Sequence, residues 1–432
     1  MSFVCGCFFG LALLKFGNPI VLDKLIEAPA GILEWIFSPW PVRWGQLGLV
    51  VFAAACLPIA RFRSPKPVWL CLLPVLWFGW QMLSSVTTVD ASLTRITIIH
   101  FATCLIAFGL GLFVLGPRGK FLQFAVGVLP FFVWVMWTGF DQHYGGLDAT
   151  EKMIKEIPNW REIYPPEYLE RIAKKRIFGT LVYPNALAGA ILLWLPILMG
   201  CIWRIGDRLT LAARILLIGT LMYGGGACLV WSGSKSGWLI ALGLVVVALC
   251  HLGISRKFKM AIIFTVFLVG LAGFSWKFAS YFKAGATSVG ARVQYWRAAW
   301  ITSLEHPVVG TGPGTFARAY AKIRPPDAEM AHLTHNDYLE QASDSGFPGM
   351  VSYTAFWVGL ICLARYRVVS SVSDVRFWFW LGLLGWVVQG VSEFGLYIPA
   401  LAWPAFALAG WLSTGNGHGQ GLEPQITSKA PG

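Results

Sequence analysis

The sequence predicts an all-α, polytopic integral membrane protein, and three observations carry that expectation. Of 432 residues, 56% are hydrophobic and only 13% are charged, about half the charged share of an ordinary soluble domain. Trp and Phe number 22 and 30, and the mean hydropathy is +0.63. About twelve apolar runs of roughly 17–25 residues are long enough, at about 1.5 Å per helical residue, to cross a hydrocarbon core about 30 Å thick. The period-2 alternation of an outer-membrane barrel is absent, and a helix satisfies its own backbone polar groups in lipid.

In chain order the expected spans are 3–22, 44–60, 68–83, 96–115, 121–140, 182–203, 211–231, 238–254, 260–279, 347–364, 377–396 and a short last one, 399–412. No basic residue precedes the first apolar run, which therefore reads as a retained helix and not as a signal peptide. Lys and Arg are retained on the cytoplasmic side of a membrane. Arg61, Arg63 and Lys66 share a side with Arg118 and Lys120, with Arg204, Arg208 and Arg214, with Arg256, Lys257 and Lys259, and with Arg365, Arg367 and Arg376. Both termini then fall in the cytoplasm, and two long polar inserts, 141–180 and 280–346, fall outside. The tail 413–432 is polar and contains Gly and Pro, so it is expected to be disordered.

All nine cysteines lie in the predicted spans, which argues against disulfides or thiolate metal sites in the inserts. Cys5 and Cys7 have the wrong spacing for CxxC chemistry and read as packing. The net charge of +13 is absorbed largely by the basic loops and their contact with anionic lipid, and no nucleic-acid motif accompanies it.

The remaining cations lie on the opposite side: Arg171, Lys174, Lys175 and Arg176, then Lys235, Arg292 and Arg297. Side chains beside helix ends snorkel to lipid headgroups, which is one reading of the 171–176 cluster; a phosphate-bearing lipid substrate is the other. Lys235 lies in SGSKSG at 232–237, a turn with almost no room for a solvated loop, where a cation is expected to face an anion. Arg292 opens GARVQYWRAAWITSLEHP, an amphipathic helix expected on the membrane, on which Tyr295 and Trp296 share its face. The glycine-rich GTGPGTF at 310–316 lacks the Lys-Ser/Thr of a phosphate-binding loop and reads as a tight turn.

HNDYLE at 335–340 carries the strongest chemical signal. Thr334 and Asp337 are spaced as a capping box, which puts His335 in the first turn of a helix running to Gly346. The positive end of the helix dipole disfavours imidazolium there, and a neutral histidine is a competent general base. His332 and His335 with Asp337 and Glu340 form an alternative metal set, but no third ligand stands at a recognised spacing. No Ser or Cys sits in a nucleophile elbow.

Taken together, YPNALAG at 183–189, the SGSKSG turn, Arg292 with Trp296, HPVVGTGPGTF and HNDYLEQASDSGFPG resemble the O-antigen ligase and O-antigen polymerase superfamily over roughly 179–391. The resemblance implies a metal-independent, inverting glycosyltransferase of a bacterial inner membrane, needing no cofactor, with its site facing the periplasm. Its donor would be an undecaprenyl-diphosphate-linked glycan and its acceptor lipid A-core or another glycan, with membrane lipid as a further partner and neither nucleotide nor nucleic acid involved. His335 would activate the acceptor hydroxyl while Arg292 and Lys235 hold the departing diphosphate. Arg176, Arg297, Asn336, Tyr338 and Trp296 are the candidate substrate-binding residues. Lys235 stands where members of the superfamily typically carry arginine, and Arg176 is one candidate to complete the diphosphate site.

The expected organisation is an N-terminal set of helices with the first insert, 1–178, a catalytic region, 179–412, and the tail. A ligase is the leading reading and a polymerase of the same reaction class the second. A transporter or flippase, the reading from another class, lacks the internal repeat it calls for; Glu393 is the main acidic residue inside a predicted span.

Overall fold

The computed structural model describes residues 1–62, 67–116, 120–163, 166–205, 208–283, 287–326, 328–367 and 374–414. Among these residues the regular structure is helical throughout, without a strand. The first nine helices are α1 (Ser2–Lys15), α2 (Ile32–Phe37), α3 (Val42–Cys56), α4 (Val68–Ser84), α5 (Ala91–Leu110), α6 (Phe121–Asp141), α7 (Leu147–Glu156), α8 (Trp160–Ile163) and α9 (Pro166–Ala173). The second nine are α10 (Pro184–Arg204), α11 (Leu211–Ser232), α12 (Lys235–Cys250), α13 (Arg256–Lys283), α14 (Thr287–Glu305), α15 (Phe316–Ile323), α16 (Asp337–Arg367), α17 (Val375–Gln389) and α18 (Pro399–Ser413). The all-α membrane architecture expected from composition is the one observed.

Among the described residues, eight helices are long and apolar enough to cross a membrane, and three shorter apolar helices, α1, α12 and α17, accompany them. Together with α18, these helices coincide with the twelve expected runs, and two of the runs are shortened for local reasons. The first apolar run ends early because the buried Lys15 turns its ammonium onto the carbonyls of Trp35 at 2.8 Å and Ser38 at 3.1 Å. The run 377–396 stops being helical at Gln389, beyond which the chain opens into a turn that carries Glu393. The expected disordered tail lies outside the described residues beyond position 414.

The last helix is buried along its whole length, from Pro399 to Ser413, and is a central post rather than a lipid-facing span. Small residues let neighbouring backbones approach it, as is usual where lipid supplies no hydrophobic drive for helix association. A Cβ on Gly410 would lie 2.9 Å from the Leu112 nitrogen, and one on Gly111 would lie 2.7 Å from the Ala407 carbonyl carbon. At the periphery, Leu216, Phe264 and Trp276 point outward, with Trp276 83% exposed, as side chains bathed in hydrocarbon do.

The helix directions fix two ends of the bundle. The start of α10, the α11–α12 turn, the end of α13 and the end of α17 share one end, and the basic residues Arg204, Arg214 and Arg256 fall at the other ends of the same helices. Arg63, Lys66 and Arg118 lie outside the described residues. The insert 280–346 folds into α14, α15 and the first half of α16, which breaks at Ser345 and Gly346, where Gly346 has φ +71°. The expected change from polar helix to span at Gly346 is therefore a kink. α14 buries Tyr295, Ala298 and Ala299 with Phe316 and Tyr320 of α15 in a small apolar cluster of its own, while Val293 and Leu304 stay exposed.

The Gly410 contact yields a direct test. Gly410→Leu forces two backbones apart and is expected to destabilise the fold by about 2–3 kcal/mol or more. The check is the melting temperature and the monodisperse yield of purified protein in detergent.

Candidate active site

The site begins at the turn between α11 and α12. Gly233 ends α11 in the left-handed region at φ +62°, a conformation glycine adopts without steric cost. Ser234 then caps α12, its hydroxyl accepting the Gly237 N–H at 3.2 Å. This leaves Lys235 as the first helical residue, half-buried at the bundle end. Arg176 reaches the same turn, donating from Nε to the Ser232 carbonyl at 2.9 Å and from Nη2 to Asn185 Oδ1 at 3.2 Å.

Asn185 follows Pro184 at the start of α10. Its Nδ2 donates to Glu393 Oε1 at 2.7 Å, and its carbonyl accepts the Gln389 amide at 2.8 Å. Glu393 lies beyond the end of α17 with its side chain 7% exposed. Its carboxylate pairs with the Arg292 guanidinium through Oε1 and with His335 Nδ1 at 3.2 Å through Oε2. One acid therefore joins the starts of α10, α14 and α16 to the end of α17.

Burial pushes the Glu393 carboxyl up, but the Arg292 charge, with His335 and Arg176, outweighs it and holds the group below the ordinary carboxylate range. An ionised carboxylate only accepts hydrogen bonds, so His335 donates to Glu393 from Nδ1, and Nε2 is the ring nitrogen left for another partner.

His335 is not in the first helical turn, which corrects the capping-box expectation. It has φ +54°, uncommon for a side-chain-bearing residue and costing on the order of 1 kcal/mol. That turn makes Asn336 the cap: its Oδ1 accepts the N–H groups of Tyr338 and Leu339, each at 3.0 Å. Thr334 braces the bend by donating to the Asn336 carbonyl at 2.8 Å. The imidazole stacks on Tyr295 at 6.0 Å between centroids and meets the Phe394 edge at 4.7 Å. Both carboxylates of HNDYLE turn inward. Asp337 accepts the Leu396 N–H at 3.1 Å and Glu340 the Thr334 N–H at 2.6 Å.

A cavity of about 330 Å³ opens over this network, lined by Arg176, Lys235, Arg292 and His335 and walled by Tyr183, Asn185 and Tyr295. Four of the candidate substrate contacts do not line it. Arg297 points to solvent from another face of α14. Trp296 packs into the α14–α15 cluster, Asn336 is consumed in capping, and Tyr338 donates to the Val387 carbonyl at 2.9 Å. From the 171–176 cluster, Lys174 and Arg176 reach the cavity, and Lys175 pairs with Asp148 at 3.0 Å. Arg171 lies on α9, its side chain outside the described residues.

The glycine-rich loop is a turn whose amides serve the protein itself. Gly310, Gly312 and Gly314 all have positive φ, and the Gly314 N–H donates to Asp344 Oδ2 at 2.6 Å. Among the described residues, no group of three His, Cys, Asp or Glu is placed to hold a metal ion, and His332 lines the cavity without forming such a set.

Residues 219–354 match the family model described as O-antigen ligase. The matched segment, less than half of the chain, is similar to the O-antigen ligase family. The described helices are those of a multi-pass membrane protein. No curated protein matches the chain. Lys235, Arg292 and His335 fall inside the matched segment, while Arg176 and Asn185 line the same cavity from outside it, and Glu393, also outside it, pairs with Arg292 and His335.

Sequence reasoning missed Asn185 and Glu393 as site residues. Their signals were an amide after Tyr-Pro at a helix start and a carboxylate amid apolar residues. Because the folded Glu393 carboxyl is depressed, its stabilising pair with Arg292 is complete above the ordinary carboxylate range and is lost as pH falls through the lowered folded value. Glu393→Gln is expected to remove that acid-side loss of thermal stability. Melting curves between pH 7 and pH 3 check this, and parallel curves for the two proteins contradict it.

Proposed function

We propose that this protein transfers a glycan from an undecaprenyl-diphosphate carrier to an acceptor hydroxyl on the periplasmic face of a bacterial inner membrane, as an O-antigen ligase with lipid A-core as acceptor. The observation that carries the reading is the convergence of a carboxylate-held histidine and the cations Arg176, Lys235 and Arg292 on one cavity. The O-antigen ligase segment supports the class of reaction.

The chemistry is a single displacement. The acceptor O–H gives its proton to His335 Nε2 as its oxygen attacks the anomeric carbon. The bond from that carbon to the diphosphate oxygen breaks, and the electron pair leaves with the diphosphate. Lys235 and Arg292, backed by Arg176, stabilise the charge that develops there, a role in which fixed cations need no reorganisation during the reaction. Glu393 stabilises the imidazolium that results. Attack opposite the leaving group inverts the anomeric centre, and the protein's own cations supply the charge compensation without a metal ion.

The test is incubation of the purified protein with a lipid-diphosphate glycan and candidate acceptors, with product masses measured. Glycosylated lipid A-core is the expected product; a longer carrier-bound chain would make the enzyme a polymerase, and absence of any transferred glycan would overturn the reading. His335→Ala should lower turnover by about 10²–10⁴-fold with donor binding intact, and wild-type turnover would remove His335 as the base. Lys235→Arg should keep activity where Lys235→Ala loses most of it.

A further inference from the structure

Lys235 differs from the other cavity cations in how it is held. Arg292 pairs with Glu393, and Arg176 is tied to Ser232 and Asn185. Among the described residues, no carboxylate or carbonyl pairs with the Lys235 ammonium; its neighbours are ring faces. Nζ sits 3.7 Å from the centroid of Tyr281 and 5.2 Å from that of Phe278, both in the last turns of α13. The like charges of Arg176, Arg292 and Lys174 all act on it. Without a counter-charge, these would drive a flexible lysine away from the cavity, and an aromatic face holds a cation without spending the donors that an anionic ligand needs.

The same tyrosine reaches the next helix. Its hydroxyl shares a hydrogen bond of 2.7 Å with Ser288 Oγ and accepts the Val289 N–H at 3.2 Å. It thereby satisfies one of the amides left open at the start of α14. Ser288, Arg292 and Tyr295 follow one face of α14 and all line the cavity, whereas Tyr281 does not. One side chain thus fixes the ammonium of Lys235 from α12 and the first turn of the helix that carries Arg292.

We infer that Tyr281 is a positioning residue for the diphosphate site, its ring seating the Lys235 ammonium toward an anionic ligand and its hydroxyl separately bracing the first turn of α14. The inference rests on the proposed diphosphate donor. It also accounts for lysine in this turn: a compact ammonium fits over the ring and presents its three donors as a point charge, where a planar guanidinium would lie along the ring.

The experiment is titration of the full-length protein in detergent with farnesyl diphosphate, for wild type, Tyr281→Leu, Tyr281→Trp, Lys235→Ala and the double variant Lys235→Ala/Tyr281→Leu. Tyr281→Leu is expected to weaken binding about tenfold, the scale of a desolvated cation–π contact, and Tyr281→Trp to restore affinity to within about threefold of wild type. In the Lys235→Ala background, Tyr281→Leu should cost nothing further, because the ring acts only through the lysine. Unchanged affinity in Tyr281→Leu beside lost affinity in Lys235→Ala, or independent losses in the double variant, overturns the role of the ring alone. Unchanged affinity in Lys235→Ala overturns the diphosphate site itself. Tyr281→Phe should bind normally while hydrogen exchange rises at the first turn of α14, and wild-type exchange there overturns the role of the hydroxyl.

Discussion

Glu393 is a buried carboxylate that the rest of the site is arranged to satisfy. An unpaired charge at 7% side-chain exposure costs several kcal/mol, so the fold supplies Arg292, His335 and Asn185 as partners. Each partner comes from a different helix start, and the geometry of the cavity follows from meeting that one electrostatic demand. The network continues through Asn185 to Arg176 and from there to the Ser232 carbonyl beside Lys235. Such a chain of satisfied polar groups rigidifies its members together.

The acidic residues of α16 support the site from below. Asp337, Glu340 and Asp344 are all buried, and each accepts a backbone N–H from a different loop: Leu396, Thr334 and Gly314. Buried carboxylates are tolerated where they take such donors. The first half of α16 thereby gathers the loop before it, the glycine-rich turn and the segment after Glu393. The kink at Ser345 and Gly346 frees this half from the direction of the span that follows.

How far the sequence revealed this follows from what each signal depends on. Spans were legible because hydrophobic length is a local property, and α10, α11 and α13 lie close to where apolar runs placed them. The central α18 looked like one more span because burial in protein and burial in lipid ask for the same composition. His335, Arg292 and Lys235 stood out as polar residues in an apolar chain, and all three line the cavity. The roles of the two HNDYLE carboxylates were not legible, since their donors, the N–H groups of Leu396 and Thr334, are backbone groups. Glu393 was hidden for the opposite reason: nothing local to it marks a partnership with residues as distant in sequence as Arg292 and Asn185.

The separation of the partners along the chain sets an order of events during biosynthesis. Arg176 and Asn185 emerge early, Arg292 and His335 later, and Glu393 only just before the buried α18. Until that final stretch enters the membrane, the guanidinium of Arg292 has no carboxylate to meet, and a truncated or stalled chain holds the cations without the acid that orders them. The polar centre is therefore assembled only once Glu393 has joined the residues that precede it, and a chain stalled before that point holds its cations and histidine without the carboxylate that gathers them.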